Sequence, residues 1–197
     1  MSYRERAVDG FQTQLRAWCR GRHGAPRALV LAWLAWVLVY LWQDPAIGGL
    51  LDFPNLFSGI NLGIHELGHM VFRPLGRTME IAGGSLLQCM APIAGMVMQR
   101  REGDWFGICF CGGWLATNLF SVGVYMADAR AQSLPLVSPF SSHPLHDYAL
   151  LFGDFGLLDS CEQIGLGFKL LASVAMLLSL AGGAVLVGFM LDEEEPI

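Results

Sequence analysis

Long apolar runs separated by short polar breaks cover most of the chain. Four runs approach the length of a membrane-crossing helix, at residues 28–42, 79–98, 105–126 and 164–191. A further run, 46–72, is interrupted by Asp52, Pro54 and Gly59 and restarts as a helix near Ser58 or Asn61. Since about 20 apolar residues cross the hydrocarbon core, the pattern predicts an all-α polytopic membrane bundle of four to five transmembrane segments.

Polar segments divide this pattern into regions. Residues 1–27 carry six arginines and predict a cytoplasmic N-terminal flank, followed by a retained first span because no small-residue cleavage site follows it. Residues 28–191 form the membrane helical domain, and 192–197 form an acidic tail. Within the domain, residues 127–163 hold prolines, serines and two histidines around a short apolar patch at 148–158. Long connections of this kind are usually functional, so this loop is a candidate site region.

Composition supports a membrane environment and excludes several classes of protein. The 197 residues are 54% hydrophobic and only 15% charged, which is too little charge to cover a water-exposed surface. The net charge of -5 argues against nucleic acid as a partner, since phosphate binding needs a basic surface. Five scattered cysteines do not indicate a disulfide framework. We therefore expect an integral membrane protein, in a bacterial inner membrane, with lipid as its main surroundings.

The arginines are compatible with two topologies that share a cytoplasmic N-terminus. If 54–72 crosses the membrane, Arg73, Arg77 and Arg130 lie inside and the Arg100–Arg101 pair lies outside. If 54–72 is re-entrant, these positions exchange sides. In both topologies the end of the second segment and the loop 127–163 emerge on the same side of the membrane.

The clearest chemical motif is His65-Glu66-Leu67-Gly68-His69. On a helix, residues i and i+4 project from one face one turn apart, so both imidazoles can bind one ion with Glu66 beside it. Ionisable residues within an apolar helix are costly and mark a functional site by default. Zinc suits imidazole ligands and lowers the pKa of bound water, and Glu66 is then the candidate general base.

The motif resembles that of the site-2 proteases, a family of intramembrane zinc metalloproteases with an H-E-x-G-H sequence on a membrane helix. His65, Glu66, Gly68 and His69 match that sequence, and Leu158-Asp159-Ser160 is the nearest match to the family's downstream L-D-G-type aspartate. The resemblance implies intramembrane proteolysis, with Glu66 catalytic and Asp159 as a third zinc ligand. It also implies glycines beside the cleft, for which Gly83–Gly84 are the candidates, whereas the residues themselves favour ordinary close packing between helices as the role of this pair.

A catalytic zinc site needs a third protein ligand. The candidates in the loop 127–163 are His143, His146, Asp147, Asp154, Asp159 and Glu162. We favour His146, because the apolar patch that follows it predicts a short helix able to hold it. A neighbouring carboxylate, Asp147 or Asp154, would then orient its ring. Asp159 and His143 remain alternatives.

Two functions are compatible with these residues. The first is a zinc metallopeptidase that cleaves transmembrane or membrane-associated polypeptides, with His65, His69 and His146 on the metal and Glu66 as general base. The second is a protease-derived, non-catalytic accessory subunit of a larger membrane complex, suggested by the absence of a substrate-sorting domain and by glycine-rich and tryptophan-rich spans that suit partner helices.

Overall fold

The fold is entirely helical in the residues that the computed structural model describes, which are 3–43, 53–135 and 145–194. Seven α-helices follow one another there: α1 (Tyr3–Cys19), α2 (Gly24–Gln43), α3 (Ser58–Phe72), α4 (Arg77–Glu102), α5 (Trp105–Ala127), α6 (Asp147–Phe155) and α7 (Cys161–Glu194). A 3₁₀ turn at Arg73–Leu75 precedes α4, and another at Leu158–Ser160 precedes α7. The predicted all-α class is confirmed.

Four of these helices are long and apolar enough to cross a membrane. They are α2, α4, α5 and α7, the last together with the turn that precedes it. Helix α3 has only 15 residues, fewer than the roughly 20 that a span needs. Within the described residues, four helices thus meet the length and composition of a span, which agrees with the predicted four to five, and α3 is an additional shorter helix.

Helix α5 lies at the centre of the bundle, where glycines allow close packing. A Cβ atom added at Gly123 would lie 2.7 Å from the carbonyl oxygen of Gly165 in α7. A Cβ atom at Gly113 would lie 2.9 Å from a methyl group of Leu34 in α2. The glycines of this span allow the close helix approach expected from the sequence.

One end of the bundle gathers the end of α1, the start of α5 and the end of α7. Cys19, Phe106 and Met190, from these three places, belong to one buried cluster. Arg100 at the end of α4 stacks over the Trp105 ring, 5.1 Å from its centroid, so the Arg100–Arg101 pair belongs to the same end. We call this the terminal end and the opposite end the site end. The end of α1 and the arginine pair therefore lie at the same end of the bundle.

Helix α3 starts in the middle of the bundle. Phe57, directly before it, packs in a buried cluster with Leu34, Ala116 and Met176, which lie near the midpoints of α2, α5 and α7. From there α3 runs towards the site end, where the turn at Arg73–Leu75 leads into α4. The H-E-x-x-H motif therefore lies on a helix that covers only part of the bundle's depth.

The N-terminal flank, for which the sequence predicts only a cytoplasmic location, contains helix α1. Its side chains Leu15, Trp18 and Cys19 pack against the end of α7, and the Arg16 guanidinium lies 4.3 Å from the centroid of the Phe189 ring. The spacing of these three residues, i, i+3 and i+4, places them on one helix face. The polar composition of residues 1–27 concealed this short amphipathic pattern.

Candidate metal centre

Helix α3 places the two motif histidines side by side. Their ring centroids lie 4.8 Å apart with the planes nearly perpendicular. This is the arrangement expected for residues separated by one helical turn. The centre lies near the site end, since Gly84, which contacts both rings, is only seven residues, or about 10 Å, into α4.

Asp147 joins this pair from the first position of α6. Its Oδ2 atom lies 3.1 Å from His65 Nε2 and 3.4 Å from His69 Nε2. Donor atoms bound at about 2.0–2.1 Å in a tetrahedron are separated by about 3.3 Å, so both distances fit a common zinc-sized ion. His65, His69 and Asp147 thus form a group that could hold a metal ion.

Hydrogen bonds from α4 orient both imidazoles towards the centre of this group. His65 Nδ1 lies 3.0 Å from Gln88 Oε1, and His69 Nδ1 lies 2.8 Å from the carbonyl oxygen of Glu80. Both partners are acceptors, so each Nδ1–H donates. Each Nε2 faces Asp147 and donates to it while the ring is protonated, whereas a neutral ring presents its Nε2 lone pair to a ligand. Metal-binding histidines are commonly held in this way. The Gln88 side chain thus forms an interhelical hydrogen bond with His65.

Glycines in α4 make room for the two rings. A Cβ atom at Gly84 would lie 2.6 Å from His65 Nε2 and 2.7 Å from His69 Nε2. One residue earlier, a Cβ atom at Gly83 would lie 2.6 Å from the carbonyl oxygen of Gly68. The close approach of α3 and α4 therefore depends on these glycines, which supports the sequence expectation that they lie beside the site.

His146, the third ligand predicted from the sequence, does not belong to this group, and Asp147 takes that position instead. His146 is the N-cap of α6, and its Nδ1 atom accepts a hydrogen bond from the Ala149 backbone N–H at 3.2 Å. Its ring is buried against Tyr125, with centroids 4.2 Å apart. The Nε2 atom faces Asp128 Oδ2 at 3.4 Å, which is ion-pair distance, although no hydrogen bond forms. Capping thus directs this imidazole away from the centre.

The alternative ligands in the same region lie elsewhere or outside the described residues. Asp159 is exposed and pairs with Arg130. Asp154 pairs with Arg77 at 2.8 Å, which ties α6 to the start of α4. Glu162 is exposed near the start of α7, and His143 lies outside the described residues.

Glu66 is half-buried on α3, beside the two histidines. It follows His65 directly and precedes His69 by three positions, so it lies within one helical turn of both imidazoles. This agrees with the position expected for a general base. The described structure thus brings together His65, Glu66 and His69 from the motif, and adds Asp147.

Charge stabilises the group in the metal-free state. A hydrogen bond with Asp147 raises the pKa of His69 to about 9, although burial opposes the shift. Burial alone would raise the pKa of Asp147, but hydrogen bonds from His65 and His69 outweigh it and hold that pKa below its usual value. A metal ion would replace the shared protons, because it needs neutral imidazoles and an ionised carboxylate.

Tyr125 at the end of α5 completes the surroundings of the site, and sequence reasoning did not identify it. Its hydroxyl oxygen accepts a hydrogen bond from the Asp147 backbone N–H at 3.0 Å. No short motif marks this residue, since it lies 22 positions before Asp147. The one feature that could have indicated a role for Tyr125 is its hydroxyl group near the end of an apolar span.

Comparisons with protein-family models, with curated proteins and with solved structures give no match. The function must therefore be argued from the geometry of the centre.

Proposed function

We propose that the protein is a membrane-embedded zinc metallopeptidase that hydrolyses amide bonds of transmembrane or membrane-associated polypeptides. The observation that carries the proposal is the group of His65, His69 and Asp147, in which Asp147 Oδ2 lies 3.1 and 3.4 Å from the two imidazole Nε2 atoms and all three donor atoms lie within 4.8 Å of one another. Two histidines and one carboxylate leave a fourth position for water, which is the pattern of catalytic rather than structural zinc sites.

The ligand chemistry favours zinc among the common metals. Imidazole suits zinc, whereas magnesium and calcium prefer sites built entirely from oxygen. When bound, zinc would polarise the carbonyl group and make water acidic enough to attack at neutral pH. The orientation of both imidazoles by Gln88 and the Glu80 carbonyl supports a preorganised site.

Glu66 is the candidate general base. In the proposed hydrolysis, the water oxygen bonds to the carbonyl carbon while Glu66 accepts a water proton. Glu66 then delivers that proton to the amide nitrogen as the carbon–nitrogen bond breaks. One water is consumed, and the products are a carboxylate and an amine.

The surroundings of the centre favour a membrane-associated substrate. The outer face of α3 carries apolar side chains that are at least half exposed, among them Leu67, Met70 and Val71. A polypeptide that reaches Glu66 would thus pass along an apolar surface. The resemblance of the motif to the site-2 proteases adds to this assignment.

The distribution of basic residues indicates which face of the membrane the metal centre opens to. Most of the basic residues whose side chains the structure describes belong to the terminal end: Arg16, Arg20, Arg22, Arg27, Arg100 and Arg101. Cytoplasmic segments carry an excess of arginine and lysine. The metal centre would then open towards the opposite face of the membrane.

The test combines metal analysis with proteolysis. Purified wild type should contain one zinc per chain and cleave quenched fluorescent transmembrane peptides in phospholipid vesicles. Glu66→Gln should keep the zinc and lose cleavage, whereas the matched change at an exposed carboxylate, Glu162→Gln, should alter neither.

Full cleavage by Glu66→Gln would contradict the proposed mechanism. A zinc-loaded wild type that cleaves no peptide and co-purifies in fixed stoichiometry with other membrane proteins would favour the accessory-subunit alternative.

A further inference from the structure

The side chain of Tyr125 lies between the candidate metal group and the buried His146. Its ring centroid is 6.2 Å from that of His65 and 4.2 Å from that of His146. A third contact, with Tyr148, has a centroid distance of 5.4 Å and perpendicular rings. The ring is therefore held on several sides, and its hydroxyl has a defined position.

One hydrogen bond fixes that hydroxyl beside the third ligand. The oxygen accepts the Asp147 backbone N–H at 3.0 Å, so it lies against the residue whose carboxylate faces both histidines. A phenol both accepts and donates. Among the residues that the structure describes, none accepts the proton of this hydroxyl, so that proton can be donated to a bound ligand.

The candidate general base lies on the same helix as the two histidines, since Glu66 follows His65 directly and precedes His69 by three positions. The Tyr125 ring lies 6.2 Å from the His65 ring, and its hydroxyl is hydrogen bonded to the residue whose carboxylate faces both imidazoles. A carbonyl group that approaches the metal position from this side would therefore meet the phenol.

We propose, on the basis of the metallopeptidase function above, that Tyr125 is a catalytic residue that donates a hydrogen bond to the carbonyl oxygen of the scissile amide. As the water oxygen bonds to the carbonyl carbon, the carbonyl π electrons move to this oxygen, and the phenol hydrogen bond strengthens. Tyr125 keeps its proton throughout. The proton needed by the leaving nitrogen comes from water through Glu66, so the reaction consumes one water and nothing else.

The expected loss of activity can be taken from enzymes in which other preorganised hydrogen-bond donors stabilise the developing oxyanion. Loss of one such donor typically lowers kcat by about 10²- to 10³-fold. Tyr125→Phe keeps the ring and its contacts, so zinc affinity and KM should remain within about threefold of wild type. Tyr148→Phe is the matched control, because it removes a hydroxyl from the neighbouring ring. That side chain is buried in one cluster with Leu151 and Phe152.

A binding measurement tests the same interaction without turnover. A phosphinic dipeptide amide with apolar side chains mimics the tetrahedral geometry, and its affinity for zinc-loaded protein can be measured by calorimetry. We expect Tyr125→Phe to weaken this binding by about 10²-fold or more, and Tyr148→Phe to leave it unchanged.

The role of Tyr125 and the metallopeptidase function are tested by different measurements. Unchanged phosphinate affinity in Tyr125→Phe, or no binding by wild type, overturns the role of Tyr125 whatever the cleavage assay shows. A loss of zinc affinity equal to the loss of phosphinate affinity also overturns it, because Tyr125 would then only position Asp147. The metallopeptidase function itself fails separately, if Glu66→Gln cleaves as well as wild type.

Discussion

Replacement of Gly84 by alanine should abolish metal binding while the helices stay folded. The added Cβ atom would lie 2.6 Å from His65 Nε2 and 2.7 Å from His69 Nε2. Ordinary van der Waals contact begins at about 3.4 Å, so the His65 ring must retreat by about 0.8 Å and the His69 ring by about 0.7 Å. Zinc–ligand distances tolerate deviations of only about 0.2 Å.

The rings cannot retreat freely, because each is held by its Nδ1 atom. His65 would have to break its 3.0 Å contact with Gln88, and His69 its 2.8 Å contact with the Glu80 carbonyl. Loss of an orienting partner alone costs about 10- to 100-fold in metal affinity. With both ligands displaced, we expect the zinc affinity of Gly84→Ala to fall by about 100-fold or more.

The assay is zinc competition with a chromophoric chelator, accompanied by circular dichroism in detergent. Gly63→Ala is the matched control, because a Cβ atom at Gly63 in α3 has no neighbour within 4 Å. Both substitutions increase helix propensity by up to about 1 kcal/mol, so helix content should be retained. Zinc affinity within about threefold of wild type in Gly84→Ala would refute the placement of the metal against this glycine.

Three further predictions concern the surroundings of the centre. Gln88→Leu should lower zinc affinity by about 10- to 100-fold in the same competition assay, since His65 loses its orienting acceptor. The hydrogen bond with Asp147 raises the pKa of His69 from 6.5 to about 9. Because protonated His69 stabilises the folded protein without metal, this stabilisation is fully present below pH 6.5 and is lost as the pH rises through 9. Thermal melts in a chelator should therefore show a lower Tm at pH 9.5 than at pH 6. His146→Leu should lower stability by about 1 kcal/mol through loss of the α6 cap and keep the zinc, and His146→Asn should restore the melting temperature.

The two histidine ligands, which are close in sequence, were predictable, whereas the third ligand, Asp147, was not. His65 and His69 lie on one face because helical periodicity alone places residues i and i+4 together. The third position depends on where a short helix begins, 82 residues after His65. His146 caps that helix and Asp147 is its first residue, so a difference of one position decides which side chain faces the histidines.

The spans were predictable from apolar length, whereas the depth of α3 was not. The interrupted run 46–72 was compatible with either a crossing or a re-entrant segment. The position of Phe57 among Leu34, Ala116 and Met176 depends on packing between distant helices, which a linear pattern does not contain. The sequence also did not predict that His146 caps α6, because serine, threonine, aspartate and asparagine are the usual N-cap residues.

The close backbone contact between Gly68 and Gly83 has a consequence for the order in which the centre is assembled. Helices α3 and α4 form a hairpin in which His65 and Gln88 are 23 positions apart, whereas Asp147 lies 82 positions from His65. Because short loops close at a lower entropic cost, the hairpin should form before α6 docks. A metal ion that arrives early would meet two imidazoles and bind weakly. Tight binding of the ion would then require that α6 has docked and has placed Asp147 beside the two histidines.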